Sequence, residues 1–521
     1  MRKQGILTGT LVGGLLTAAL TGLMYLGRQL FGLPLVPYEL FNWFSRELPG
    51  DVVTFGIDLM IDTMLFLGVS VVDTAKTAER AMAIIMFVLG GALAGAVYFA
   101  IMRRRRVKPS LFSGLVMGVI FGLPCIALTM AAGDSTTYLI IYTAILAALF
   151  LAWGAALGLV YRRLESFEAP AAAAVVESGA TETESVEPNA QEADERRSVE
   201  KIGRRRFLVQ LGAATATVTV VSAGLGAVLA TEERRRQEEA LIGTMAHKAE
   251  GGSESPFPNA NDPVVPVPGT RPEYTPIKDH YQVFLETEPT VIDGATWVLP
   301  ITGLVDNPLM LTIDDFRNNY EPRHQYVTLT CISGRVGTGL ISTTQWTGAS
   351  AQDVLADAGL QDSARYLFIT GGDGFYETVD LDLIANDPRI MFCYGWDGNA
   401  LPTGHGYPLR IWIPDRYGMK QPKWITSIEV IDQYQEGYWV ERNWDEVAQV
   451  KTTSVVDTVA VDHIVDDGGQ MLVPVGGIAY AGDRGISKVE VRVDGGPWQE
   501  AHLRAPLSET TWVIWRYEWP F

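Results

Sequence analysis

Four runs in the first third of the chain, residues 5–31, 81–102, 111–131 and 138–161, stay apolar for about 20 residues, enough to cross a bilayer as helices. Between the first two, residues 34–77 are also apolar but carry Glu39, Asp51, Asp58 and Asp62. That mixture predicts an extracytoplasmic loop with helices at the membrane surface, with a re-entrant segment as the alternative. A fifth uncharged run covers residues 211–230. From about residue 281 the pattern changes to short apolar runs between Gly, Pro and Asp turns, which predicts strands at 297–303, 366–370, 390–394, 409–413 and 425–431. Two short helices interrupt them. Thr312, with Asp315 three residues on, predicts a capped start. Residues 350–358 form the other, closed by Gly359.

The strand of Val327 and Leu329 delivers Cys331 at its end. Gly334, Gly337 and Gly339 then predict a turn whose bare backbone can approach a ligand closely. Trp346-Thr-Gly348 follows and leads into the helix. A cysteine so placed can seat a soft metal or act as a nucleophile, and serves equally as a small buried hydrophobe. From residue 455, strands at 477–480 and 488–493 recur with Asp-Gly-Gly turns and no helix, predicting a separate immunoglobulin-like β-sandwich. The expected organisation is therefore a four-helix membrane region (1–163), a disordered Ala/Glu/Thr-rich linker (164–202), a fifth membrane helix (203–231), a stalk and linker (232–280), a mixed α+β domain (281–450) and the sandwich (451–521).

Charge clusters give the expected orientation. Arg2-Lys3, Arg103 to Arg106 with Lys108, and Arg162-Arg163 fall on one side if the N-terminus is cytoplasmic. Arg204-Arg-Arg-Phe-Leu208 ahead of the fifth run looks like a twin-arginine export signal inside the chain, or the basic flank of an ordinary span. Either reading puts the C-terminal half outside the cytoplasm. The net charge of −19, without a basic stripe, excludes a general nucleic-acid role. The cysteines are Cys125, Cys331 and Cys393; Cys125 lies in an apolar run, so no disulfide framework is expected. None of the six histidines lies in a membrane run, so that region cannot hold a bis-histidine haem.

Downstream of Cys331 come Gly371-Gly-Asp373-Gly, Tyr394-Gly-Trp-Asp-Gly398, His405-Gly-Tyr-Pro-Leu-Arg410 and Lys420-Gln-Pro-Lys423-Trp. Guanidinium, ammonium and glycine amides are what a phosphate-bearing cofactor requires, and a thiolate is what a soft-accepting metal requires. In this order the motifs resemble the sulfite oxidase superfamily of molybdopterin enzymes, from about residue 297 to the end of the chain. The resemblance implies that Cys331 is the metal ligand, that His405, Arg410 and Lys423 contact the cofactor phosphate, and that Asp373 contacts the pterin. It implies an α+β sulfite-oxidase-type domain followed by a dimerisation-type sandwich, expected to be incomplete because the chain stops at Phe521.

The departures concern the substrate. The arginine that such enzymes carry five residues after the metal cysteine is Val336 here, with Arg335 beside it as the catalytic candidate. An upstream arginine falls near Phe284 and Leu285, and a tyrosine appears as Trp444. Each lost charge-assisted bond to an anion is worth about 1.5–3 kcal/mol. The expectation is a membrane-anchored, extracytoplasmic molybdopterin oxidoreductase with a small-molecule substrate. Its electron partner would be a protein or a quinone, and it forms a homodimer if the sandwich acts as in the family. Sulfite oxidation, S-oxide reduction and a cofactor-free binding module on the same fold are the competing activities.

Overall fold

The computed structural model describes residues 5–67, 71–105, 110–132, 139–166, 190–246 and 257–521. Contacts divide the chain into two compact units: Met1–Glu47 with Glu79–Glu238, and Leu48–Ala78 with Glu239–Phe521.

In the first unit are α1 (Ile6–Phe31), α2 (Val36–Glu47), most of α4 (Val71–Arg105), α5 (Leu111–Ala132), α6 (Leu139–Ser166) and most of α7 (Ala190–Ala246). Among the described residues, five helices are long and apolar enough to cross a membrane: Ile6–Phe31, Lys76–Arg104, Leu111–Ala131, Leu139–Ser166 and Gly203–Thr231. Small residues bring α5 and α6 close: a Cβ on Gly114 would lie 2.3 Å from the Gly154 carbonyl oxygen, the close approach that membrane helix pairs use. Two expectations change. Residues 190–200, expected in a disordered linker, begin the helix α7, which continues through the fifth apolar run and the expected stalk. The abundance of good helix formers (Ala, Glu, Gln, Arg) supports that continuity. The rest of that linker, 167–189, lies outside the described residues, as do Arg2, Lys3, Arg106 and Lys108. Residues 48–78, expected with the membrane region, pack with the C-terminal half, where α3 (Gly50–Phe66) lies.

The mixed domain begins with β1 (Val298–Gly303), β2 (Leu309–Thr312), α8 (Ile313–Asn318), β3 (Arg323–Thr330), β4 (Ile341–Ser350), α9 (Ala351–Ala358) and β5 (Tyr366–Gly371). It continues with β6 (Tyr376–Asp380), α10 (Leu381–Asn386), β7 (Met391–Trp396), β8 (Asn399–Ala400), β9 (Arg410–Trp412) and β10 (Ile425–Ile431). One sheet has the order β2-β1-β10-β5-β6; the other runs β3-β4-β7-β8, with β9 paired to β7. The β1–β10 pair is parallel, and Gly303 is required there: at φ +89° a Cβ would sit 2.2 Å from the Val430 carbonyl oxygen. The predicted capping box forms, with Thr312 and Asp315 exchanging side-chain-to-backbone bonds. Leu299, Ile301, Leu367, Ile369, Phe392, Ile411 and Ile428 are buried in a core that both sheets share. A second core under β3, β4 and β7 holds Tyr281, Val327, Trp346, Trp396 and Trp412. Trp346-Thr-Gly348 lies within β4, and Ser350 then caps α9, so the segment does lead into the helix.

The C-terminal strands are β11 (Thr453–Val459), β12 (Val465–Asp467), β13 (Gln470–Tyr480), β14 (Glu490–Val491), β15 (Gln499–Glu500), β16 (His502–Leu503) and β17 (Val513–Pro520). Their main sheet runs β11-β13-β17-β16, with β12 on β13, and β14 pairs with β15 separately. Tyr480 Oη donates to the Thr328 carbonyl (3.0 Å) and the Trp512 amide to Thr328 Oγ1 (2.9 Å), anchoring this domain on the strand that leads to Cys331.

Candidate active site

Strand β3 ends one residue before Cys331, whose amide donates to the Leu340 carbonyl (3.0 Å) and whose carbonyl accepts from the Gly334 amide (3.1 Å). The loop is thus pinned at both ends by backbone bonds, and the half-buried thiol lies 3.1 Å from Ser333 Oγ. Burial pushes the thiol above its ordinary value, while the bonds from Ser333 and Gly334 and the charge of Lys423 pull it down. A cation that favours the thiolate suits a ligand to a metal.

His405 ends a short 3-10 turn, and Arg410 opens β9 five residues later. Both are buried. Gly406, at φ +112°, bends the chain between them; a Cβ there would come within 3.1 Å of the Cβ atoms of both Arg410 and Lys423. Arg410 Nη1 donates to the His405 carbonyl (3.1 Å), and the guanidinium lies over Trp346, 4.4 Å from the ring centre. Lys423 is half-buried and donates to the carbonyls of Val283 (2.9 Å) and Gly404 (3.1 Å). Asp373, buried in the turn after β5, accepts from the Phe375 amide (3.1 Å). Desolvation and then Arg410 hold the Lys423 ammonium well below its usual range, with Asp373 and Cys331 opposing. Lys423 therefore shares one electrostatic neighbourhood with Cys331, Asp373, His405 and Arg410.

Two neighbours carried no sequence signal. His280 is 3 % exposed and packs against Trp396 and His405, at ring-centre distances of 4.7 and 4.9 Å. Its Nδ1 donates to the Tyr281 carbonyl (3.0 Å), and burial lowers its titration to about 3. Gln282 Nε2 lies 3.4 Å from His405 Nε2, and burial, His280 and the nearby cations hold the His405 imidazole in its neutral form. The run 280–282 precedes the first strand and shows no periodicity, so only its His and Gln identities could have marked it.

Arg335 stands apart from this cluster. It is half exposed and pairs with Asp62 (2.9 Å) and Asp58 (3.8 Å), both on α3. It still lines the same cleft as Cys331, together with Val336, Tyr417 and Tyr480. The other two departures also meet residues 48–78. Lys76 donates to the carbonyls of Phe284 (2.7 Å) and Glu286 (2.9 Å), and Trp444 Nε1 donates to Thr54 Oγ1 (3.1 Å) while stacking on Trp439. Cys393 is fully buried on β7, in register with Arg410 of β9, and does not line the cleft.

Buried cations around a carboxylate, with Arg410 Nε and His280 Nε2 left without an internal partner, form a cradle for an anionic group. With a thiol at its edge, this donor set is chemically suited to a phosphorylated metal cofactor. Residues 286–439 match the oxidoreductase molybdopterin binding domain, a domain of the sulfite oxidase superfamily. The chain is 29 % identical over 273 residues to the mitochondrial sulfite oxidase of Mus musculus, covering 43 % of this chain and 49 % of that protein. It is 28 % identical over 263 residues to a nitrate reductase [NADPH] of Fusarium oxysporum, covering 42 % of this chain and 29 % of that one. The chain thus spans half or less of the length of these relatives. Among solved structures, the sulfane dehydrogenase SoxCD of Paracoccus pantotrophus matches at 18 % identity and a TM-score of 0.41, over 52 % of this chain and 75 % of that one.

Proposed function

We propose that the chain is a membrane-anchored, extracytoplasmic molybdopterin-dependent oxidoreductase that exchanges an oxygen atom, with two electrons, with a small molecule. The observation that carries this reading is the convergence of Arg410, Lys423, His405 and Asp373 beside Cys331. Arg410 is 2 % exposed, yet its Nε has no protein partner, and burial lowers its titration to about 10. A buried guanidinium with so little internal compensation is costly unless an anion joins it. A cofactor phosphate is such an anion.

In this reading Cys331 ligates molybdenum, Arg410, Lys423 and His405 hold the phosphate, and Asp373 accepts from the pterin. Bound there, the molybdenum centre supplies two-electron redox chemistry, while the protein orients the cofactor and shields it from water. Neutral His405, beside Gln282, offers its ring N–H as a donor. Arg335 is the candidate substrate-side residue. Two electrons per turnover require a redox protein or a quinone as partner. The five apolar helices and the basic clusters support anchoring with the N-terminus inside. The Arg204 motif supports export of the folded domain, and the sandwich supports a homodimer. Purified full-length protein from a cofactor-competent host, assayed for molybdenum and pterin and then with sulfite and a sulfoxide using artificial electron carriers, tests the reading. Absence of both cofactor components sinks it.

A further inference from the structure

The cleft beside Cys331 is bordered by a helix from a distant part of the sequence. Helix α3 lies between the first two candidate spans and packs within the C-terminal unit. It turns Asp58 and Asp62 toward Arg335, at 3.8 and 2.9 Å. Arg271, which lines the same cleft, is held by Asp457 at 2.6 Å; Lys451 lines it as well and is exposed. Both guanidinium groups of this cleft are therefore already balanced by carboxylates, and Arg335 faces two charges with one. Thr54 and Lys76 fix the same segment to Trp444 and to the carbonyls of Phe284 and Glu286, so the carboxylates are held at the cleft from two sides. Small dianions need uncommitted, convergent donors. Here such an anion would compete with two carboxylates already on the arginine.

We propose that Asp58 and Asp62 are specificity-determining residues: by neutralising Arg335 they select an uncharged oxygen-atom donor or acceptor, such as a sulfoxide, and exclude small dianions such as sulfite. This rests on the oxidoreductase reading above. With a sulfoxide, two electrons and two protons convert R2SO to R2S and water, the electrons coming from the redox partner. Replacing both carboxylates frees the guanidinium and turns the cleft toward anions.

The test uses full-length protein in detergent and inorganic sulfate as probe, titrated by calorimetry at constant ionic strength. Asp58→Asn/Asp62→Asn is expected to bind sulfate about tenfold or more tightly than wild type, and adding Arg335→Gln is expected to abolish the gain. If the double variant does not fold, Asp62→Asn alone, which removes the shorter pair, gives a smaller gain of the same sign. Equal sulfate affinity in wild type and variant, or a gain that survives Arg335→Gln, overturns the proposal. In parallel, the ratio of sulfite oxidation (ferricyanide as acceptor) to dimethyl sulfoxide reduction (reduced viologen as donor) is expected to rise in the variant. Sulfate binding does not depend on turnover. A chain without molybdenum or pterin therefore defeats the oxidoreductase reading, whereas a loaded chain with unchanged sulfate affinity defeats this proposal alone.

Discussion

Replacing Arg410 by methionine removes the most deeply buried cation of the cradle while keeping much of its stem. In the cofactor-free protein the guanidinium makes one bond to the His405 carbonyl at 3.1 Å and a stacking contact with Trp346 at 4.4 Å. These contribute about 0.5–1.5 and 0.5–1 kcal/mol. Their loss is opposed by relief of a buried charge that burial already holds at about 10, so stability should change by less than about 2 kcal/mol. Cofactor retention should respond far more. A charge-assisted bond to phosphate is worth about 1.5–3 kcal/mol, which corresponds to about 10- to 150-fold weaker binding. The assay is molybdenum and pterin per chain after extended dialysis, beside the thermal midpoint of the same sample. Arg410→Lys, which keeps charge but not the planar fork, should fall between. Wild-type retention in Arg410→Met, with the fold intact, would refute the assignment of this cluster to the phosphate.

Further outcomes follow from other buried groups. His280 titrates near 3 when folded against about 6.5 unfolded, so its stabilisation is complete above pH 6.5 and is lost as pH falls toward 3. On the order of 3 kcal/mol should be gone by pH 4; denaturant unfolding of cofactor-free protein should show this slope, and His280→Gln should flatten it. Lys420→Met should cost about 3–5 kcal/mol because it strands Glu377, whose side chain is fully buried and sits 2.6 Å from the ammonium. Adding Glu377→Gln should restore most of the loss, and equal unfolding midpoints for all three proteins would contradict the pairing.

Much of the mixed domain was legible because its signals are local. The Thr312–Asp315 box, the Ser350 start and Gly359 stop of α9, and the strand at 425–431 depend only on neighbouring residues. Cys331, Asp373, His405, Arg410 and Lys423 were legible as motifs, and the fold brings them together across β3, the turn after β5 and β9. What sequence reading missed depends on distant contacts. His280 and Gln282 precede the first strand without any pattern, and matter only because the chain folds them against His405. The placement of Asp58 and Asp62 on Arg335 spans more than 270 residues, and no periodicity encodes it. The run 190–246 shows the opposite failure. Only its first part, up to residue 202, was expected as a tether from its acidic composition, yet the helix formers there continue into an apolar span that has to be helical anyway.

The central claim is that Cys331 and the cationic cradle hold a molybdenum–pterin cofactor. Metal and pterin analysis of the purified full-length chain, made in a cofactor-competent host beside Cys331→Ser, tests it most directly. The account predicts equal amounts of molybdenum and pterin in the wild type. In Cys331→Ser it predicts retained pterin, because the phosphate donors remain, with molybdenum reduced or its spectroscopic signature altered and activity lost. A wild-type chain with neither component, or a serine variant unchanged in metal, spectrum and activity, would contradict it.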